Sequence, residues 1–310
     1  MTTEQLDQLV KVLAAIALFE LMAAIGLKAT LTDVIGVARD WRLVGRAVLA
    51  NYVFVPAAAI GLLLLFRPYT ADTANYALVA AGFLLVAVCP GAPYGPPFTA
   101  MAKGNVGVAV GLMVVLAGSS ALLAPLLLQL LLPLLVRFLP PLPSDAALSI
   151  NVGQIVSTLL IAQLLPLCIG LAVRQWRPRL ADRLTRPANL FSVVLNLALL
   201  GVIIAAQRDM LLAIPLVGYL GMMALLLTAL AAGWLLSGPG KGRRTAMVMA
   251  TAVRNVGVAL VIATASFPGT RAVAATTAFA LFQTIVLALA ALTWGRLAAQ
   301  TKPMVKAAGP

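Results

Sequence analysis

FLLVAVCPGAPYGPPFTAMAKG, residues 83–104, begins as a transmembrane helix and cannot continue as one. Four prolines and two glycines fall within residues 90–97. Each proline removes an amide donor and sets its ring against the preceding turn, so backbone polar groups are left unpaired. Inside a bilayer such groups are tolerated only where they are buried in protein or line a watery cavity. One proline explains a kink; four predict a break, of the kind that forms solute sites in secondary transporters.

The residues around this break belong to a membrane protein. The chain of 310 residues is 62% hydrophobic and 10% charged, with mean hydropathy +1.04. A soluble domain is about a quarter charged. Crossing a bilayer takes about 20 apolar helical residues, and nine runs of that kind follow one another: 6–27, 43–66, 75–102, 106–136, 148–173, 187–207, 210–236, 244–267 and 270–296. None alternates every second residue as a barrel strand does, which leaves an all-α polytopic membrane protein of about nine transmembrane helices. The amino-terminal run opens with Glu4 and Asp7 and shows no small-residue cleavage pattern, so it is expected to be a first span and not a signal peptide. Cys89 and Cys168, both in apolar segments, suggest neither a disulfide nor a metal site.

The net charge of +13 does not point to nucleic acid, because the basic residues alternate with the loops. One side of the membrane receives sixteen: Lys28, Arg39, Arg42, Arg46, Lys103, Arg174, Arg177, Arg179, Arg183, Arg186, Lys241, Arg243, Arg244, Arg296, Lys302 and Lys306. The other receives five, Lys11, Arg67, Arg137, Arg208 and Arg271. The bias places the amino terminus outside and the carboxy terminus in the cytoplasm of a multi-pass cell-membrane protein. The run RQWRPRLADRLTR, 174–186, is expected to anchor that topology against anionic lipid.

Arg254 lies in the middle of TAMVMATAVRNVGVALVIATASF, 245–267, with no other charge in the stretch. A guanidinium at bilayer depth costs roughly 2.5–3.5 kcal/mol even on the lenient scale, and it does not shed its proton. It is a fixed positive charge where an anion can meet it, or else it pairs with the carbonyl end of a broken helix, or with Glu20, and steadies the fold. This span has no central proline. A break in it is expected because NVGVA occurs twice, at 105–109 and 255–259, as though the second half of the chain echoes the first. Inverted repeats with paired broken helices are the common plan of secondary transporters. The chain is therefore expected to be one transporter domain, 1–310, with repeat halves 1–147 and 148–300 and a cytoplasmic tail 301–310. Glu20, the one carboxylate well inside a span, is the candidate for proton coupling; the plainer alternative is that it snorkels or borders a polar cavity. Asn51, Thr99, Asn105, Asn255, Gln283 and Thr284 are the polar side chains expected along the passage, each of which has the alternative of a helix-to-helix hydrogen bond.

CPGAPYGPPFTAMAKGNVGVAVGLMVVLAGSSALLAP, 89–125, resembles the bile acid:sodium symporter family, in which a broken helix begins CPGG and leads through a TxxAxGN segment to a helix ending in Pro. Thr99, Ala102, Gly104, Asn105 and Pro125 stand at the matching spacing. LMAAIGLKATLTDV (21–34), LANYVFVP (49–56) and RNVGVALVIATASF (254–267) resemble further segments of the family in the same order. The resemblance implies two crossed broken helices in a core domain beside a movable panel, and nine spans match members that lack an extra first helix.

It also implies sodium ligands that this chain lacks. The family's Ser-Asn pair falls on Gly95 and Pro96, its later Ser and Thr on Ala109 and Met113, and its Glu and Gln on Ala250 and Arg254. Asn51, in place of another Gln, keeps an amide. A hard cation wants several oxygens, so sodium is not expected as a partner, and Arg254 takes the place of a sodium ligand. The implied substrate site comprises Arg254, Asn255, Thr99, Asn105, Asn51 and Gly95, and the expected partners are a small organic anion, carboxylate or sulfonate, and the lipid bilayer. An enzyme is not expected: the chain has no histidine and no acidic pair within a span, and no cofactor or metal is implied. The reading is a secondary transporter of small organic anions, independent of sodium; the alternative is a membrane receptor that senses such an anion without moving it.

Overall fold

The computed structural model describes residues 3–69, 73–138 and 150–300, and every regular element in them is a helix. The chain opens with α1 (Thr3–Gly26) and the short α2 (Leu31–Arg39). Asp40 caps the next helix, α3 (Trp41–Leu49), accepting the Leu43 amide at 3.1 Å, and it pairs with Arg243. That amide and that guanidinium hold the Asp40 carboxyl below its ordinary range. A π-helical turn (Ala50–Phe54) joins α3 to α4 (Val55–Phe66). The same device recurs where a turn at Leu160–Leu164 joins α8 (Val152–Leu159) to α9 (Leu165–Trp176). Pro56 and Pro166 follow the two turns, and a helix that loses a donor there widens into a π turn. Each turn buries an amide side chain, Asn51 and Gln163.

The third expected span is α5 (Thr73–Val88), a connector at residues 89–94, and α6 (Gly95–Met101). The remaining helices are α7 (Val106–Val136), α10 (Pro178–Leu212), α11 (Leu216–Leu236), α12 (Lys241–Ala252), α13 (Val256–Ser266) and α14 (Arg271–Gln300). Among the described residues eight stretches are long and apolar enough to cross a membrane, and the interrupted third run makes the ninth. The expected boundary between halves and the tail 301–310 lie outside the described residues.

Three details differ from the expectations. A helix, α2, stands where no element was expected. The basic run 174–186 is not a loop: α9 extends to Trp176, α10 starts at Pro178, and Arg174 pairs with Asp182 across the joint. The two NVGVA segments do not hold matching places. Asn105 starts a new span, whereas Asn255 restarts a helix inside one. What they share is capping: the two side chains accept the amides of Val108 and Val258 at 3.0 and 3.2 Å, the common role of Asn at a helix start.

The span α12–α13 is the centre of the bundle, with 94% of its most apolar window buried. Of its two halves, α12 packs against α11, α7 and α6, and α13 against α1, α14 and α5. In lipid the driving force is close packing, so small residues mark the tight contacts. A β-carbon at Gly26 of α1 would lie 2.4 Å from the Leu167 carbonyl of α9, and one at Gly170 would lie 2.5 Å from that of Ala23.

Candidate solute-binding site

The last turn of α5 ends in carbonyls with no helix beyond to use them, because residues 90–97 cannot continue it. Gly91 turns the connector at φ 79°, and a β-carbon there would sit 2.3 Å from the Ala117 nitrogen of α7. Only glycine suits that conformation and that approach. Prolines 96 and 97 then open α6, where a missing amide costs nothing. The second interruption, residues 253–255, is stitched onto the first. The Asn255 amide donates to the Cys89 carbonyl at 2.8 Å and its side chain to the Gly91 carbonyl at 3.2 Å. With α5 against α13 and α6 against α12, the two broken helices cross at their breaks.

Arg254 occupies the crossing and is 1% exposed. Its Nε donates to the Val86 carbonyl at 3.2 Å, Nη2 to the Ala87 carbonyl at 2.5 Å, and Nη1 to the Asn51 Oδ1 at 2.6 Å and the Thr251 carbonyl at 3.2 Å. Val86 and Ala87 end α5, and Thr251 ends α12. Two helix carboxy termini, the negative ends of their dipoles, therefore converge on the guanidinium. Neither of the ion pairs Arg174–Asp182 and Arg243–Asp40 involves Arg254; among the described residues carbonyls and an amide, not a carboxylate, hold this charge. Of the two structural alternatives, pairing with the carbonyl end of a broken helix is the one observed, and the Arg254–Glu20 pair is not formed; Glu20 instead receives the hydroxyl of Ser192 on α10.

A cavity of about 320 Å³ lies beside the crossing, between α1 and α10 on one side and α13 and α14 on the other. Its walls are mainly apolar. Asn255, Thr277, Gln283, Thr284, Asn196 and Tyr94 are among its lining residues, and Arg254 borders it. Of the expected residues, Arg254, Asn255, Gln283 and Thr284 line this cavity, and Asn51 stands behind the arginine. Thr99 and Gly95 lie together in α6, the Thr99 hydroxyl donating to the Gly95 carbonyl at 2.9 Å, and Asn105 caps α7; none of the three lines the cavity. Thr251, Thr277, Asn196 and Tyr94 were not expected. Thr251 alone carried a sequence signal, one turn before Arg254 in the same span. Ala109, Met113 and Ala250, where the resemblance places side-chain oxygens, are buried and apolar.

Helices that break, cross at their breaks and border a cavity form the architecture that secondary transporters use. The chain belongs to the Sodium Bile acid symporter family, whose sequence profile matches residues 15–214. It is similar to the "Uncharacterized sodium-dependent transporter YocS" of Bacillus subtilis (strain 168), 29% identical over 178 residues, which cover 57% of this chain and 49% of that protein. It is also similar to the "Probable sodium/metabolite cotransporter BASS2, chloroplastic" of Oryza sativa subsp. japonica, 29% identical over 177 residues, 57% of this chain and 38% of that one. The match thus spans half or less of the length of these curated relatives.

Proposed function

We propose that the chain is a secondary transporter of small organic anions, carboxylates or sulfonates, that works without sodium. The observation that carries this is Arg254: a buried guanidinium that engages the carbonyls of Val86 and Ala87 and the Asn51 amide oxygen and has no carboxylate partner among the described residues. A sodium ion about 4 Å from it would be repelled by about 4 kcal/mol at an effective dielectric constant of about 20, and would find Asn51 and the carbonyls of Val86 and Ala87 engaged. An anion in the cavity gains instead of losing. At roughly 7 Å the same arithmetic gives about 2 kcal/mol of attraction.

The anion has a seat as well as a field. The first turn of α13 offers amides at the positive end of a helix dipole. Asn255 takes the Val258 amide and the Arg254 carbonyl takes that of Val256, leaving that of Gly257, a residue that borders the cavity. Alternating access follows from separating α1 and α10 from α13 and α14, whose mainly apolar cavity walls bind each other weakly in lipid. Glu20, on the α1 and α10 side, remains the candidate proton carrier, and residues 1–147 and 148–300 the two repeat halves.

Purified protein in liposomes tests the proposal with labelled carboxylates and sulfonates, in sodium or in choline at equal ionic strength, with and without a pH gradient. Saturable flux of the same size in both salts is expected. A steep, saturable sodium requirement would sink the proposal, and saturable binding without flux would favour the sensor.

A further inference from the structure

Residues 253–255 stand outside both flanking helices, so the peptide groups of Arg254 have lost their helical partners. In lipid such groups must be paired by something else. Gln283 of α14 pairs both. Its Oε1 accepts the Arg254 amide at 3.0 Å and its Nε2 donates to the Arg254 carbonyl at 3.0 Å. One side chain thus makes the two-bond contact that a neighbouring strand would make. Gln283 is 3% exposed and borders the cavity.

The bracket needs this residue type. Asparagine is a methylene shorter, glutamate has no donor when ionised, and methionine has neither a donor nor a strong acceptor. Without it the Arg254 carbonyl keeps only the Val256 amide at 3.0 Å and the Arg254 amide is unpaired; the nearest remedy is to rewind the helix, returning that amide to the Ala250 carbonyl. Rewinding replaces the non-helical backbone of residues 253–255 with helical turns, in which successive side chains are about 100° apart about the axis, and so re-aims the guanidinium away from the carbonyls of Val86 and Ala87. We infer that Gln283 is the positioning residue of this site: it keeps the second break open and aims Arg254 at the end of α5. The inference rests on the geometry around Arg254 and stands or falls separately from anion transport.

Cys89 reports on it. The thiol is wholly buried where the end of α5 meets the break, and its carbonyl receives the Asn255 amide. With Cys168→Ser it is the sole thiol of the full chain. Alkylation of the purified protein by N-ethylmaleimide is expected to be very slow in this parent. Gln283→Met is expected to raise the rate about tenfold or more, as losing two amide hydrogen bonds does for a local opening. Arg254→Gln is expected to raise it as well, and adding Gln283→Met to that variant to change it by less than about twofold, because the two residues act as one unit. Gln283→Glu, which keeps the acceptor, should fall between parent and Gln283→Met. The inference is overturned if Gln283→Met leaves Cys89 as inert as in the parent, or multiplies the rate equally in both backgrounds. It is also overturned if Gln283→Met and Gln283→Glu both fail to fold while Arg254→Gln folds.

Discussion

A guanidinium held by carbonyls differs from one held by a carboxylate in what its removal leaves behind. Arg254→Ala strands neutral acceptors, the Ala87 carbonyl and the Asn51 amide oxygen, leaves the Val86 carbonyl only the Cys89 amide at 3.3 Å, and strands no opposite charge. Each unsatisfied buried acceptor costs about 1–3 kcal/mol, so a loss of about 3 kcal/mol or more is expected in thermal unfolding. The emptied space fits a guanidinium ion. Guanidinium chloride at low millimolar concentration should restore part of that loss by mass action, and Arg254→Lys should keep the charge but lose the planar fork. Unchanged stability, or a recovery that choline chloride reproduces, would remove Arg254 from this role. The sequence displayed an arginine at membrane depth and left open what it meets. Its partners on α5 are 167 and 168 residues away, a pairing that no local pattern encodes.

At the scale of the helix, the first break was written in proline and the second was not. Residues 253–255 unwind because the groups they free find partners elsewhere, at Cys89 and Gln283. Such a break becomes visible only when the partners are in place. Its one local trace was the capping asparagine, and that pointed to the right position through a repeat that the two NVGVA segments do not form. The nine-residue α2 escaped notice because it is too short to cross a membrane. A paired substitution probes the first break. Gly91→Ala meets a positive φ and the α7 backbone at 2.3 Å, while a β-carbon at Gly95 meets open space. Gly91→Ala should lower stability by about 1–3 kcal/mol and Gly95→Ala should leave it nearly unchanged. Equal melting of the two variants would contradict this account of the connector.

The order and number of spans were legible across the whole molecule, because length and hydropathy alone decide whether a helix can cross. Which spans pack together was not, since one apolar face resembles another. Orientation rests on the sixteen basic residues against five. Single cysteines at Thr3 and Ala308, in a chain without its own two, should label from outside only at Thr3 in intact cells; labelling only at Ala308 would reverse the assignment. A cation that is part of the chain does not travel. A symporter lifts its solute on the gradient of the ion it carries; in the sodium-independent anion carrier proposed above, the charge that matches the anion would stay behind. Where no proton accompanies it, a monoanion crosses with its full charge exposed to the voltage, which weighs about 2.3 kcal/mol per 100 mV. With the cytoplasm negative, that favours the outside by a factor of about fifty. On the function proposed above, an arginine at a sodium-ligand position suits such a carrier to release of an anion rather than to its uptake.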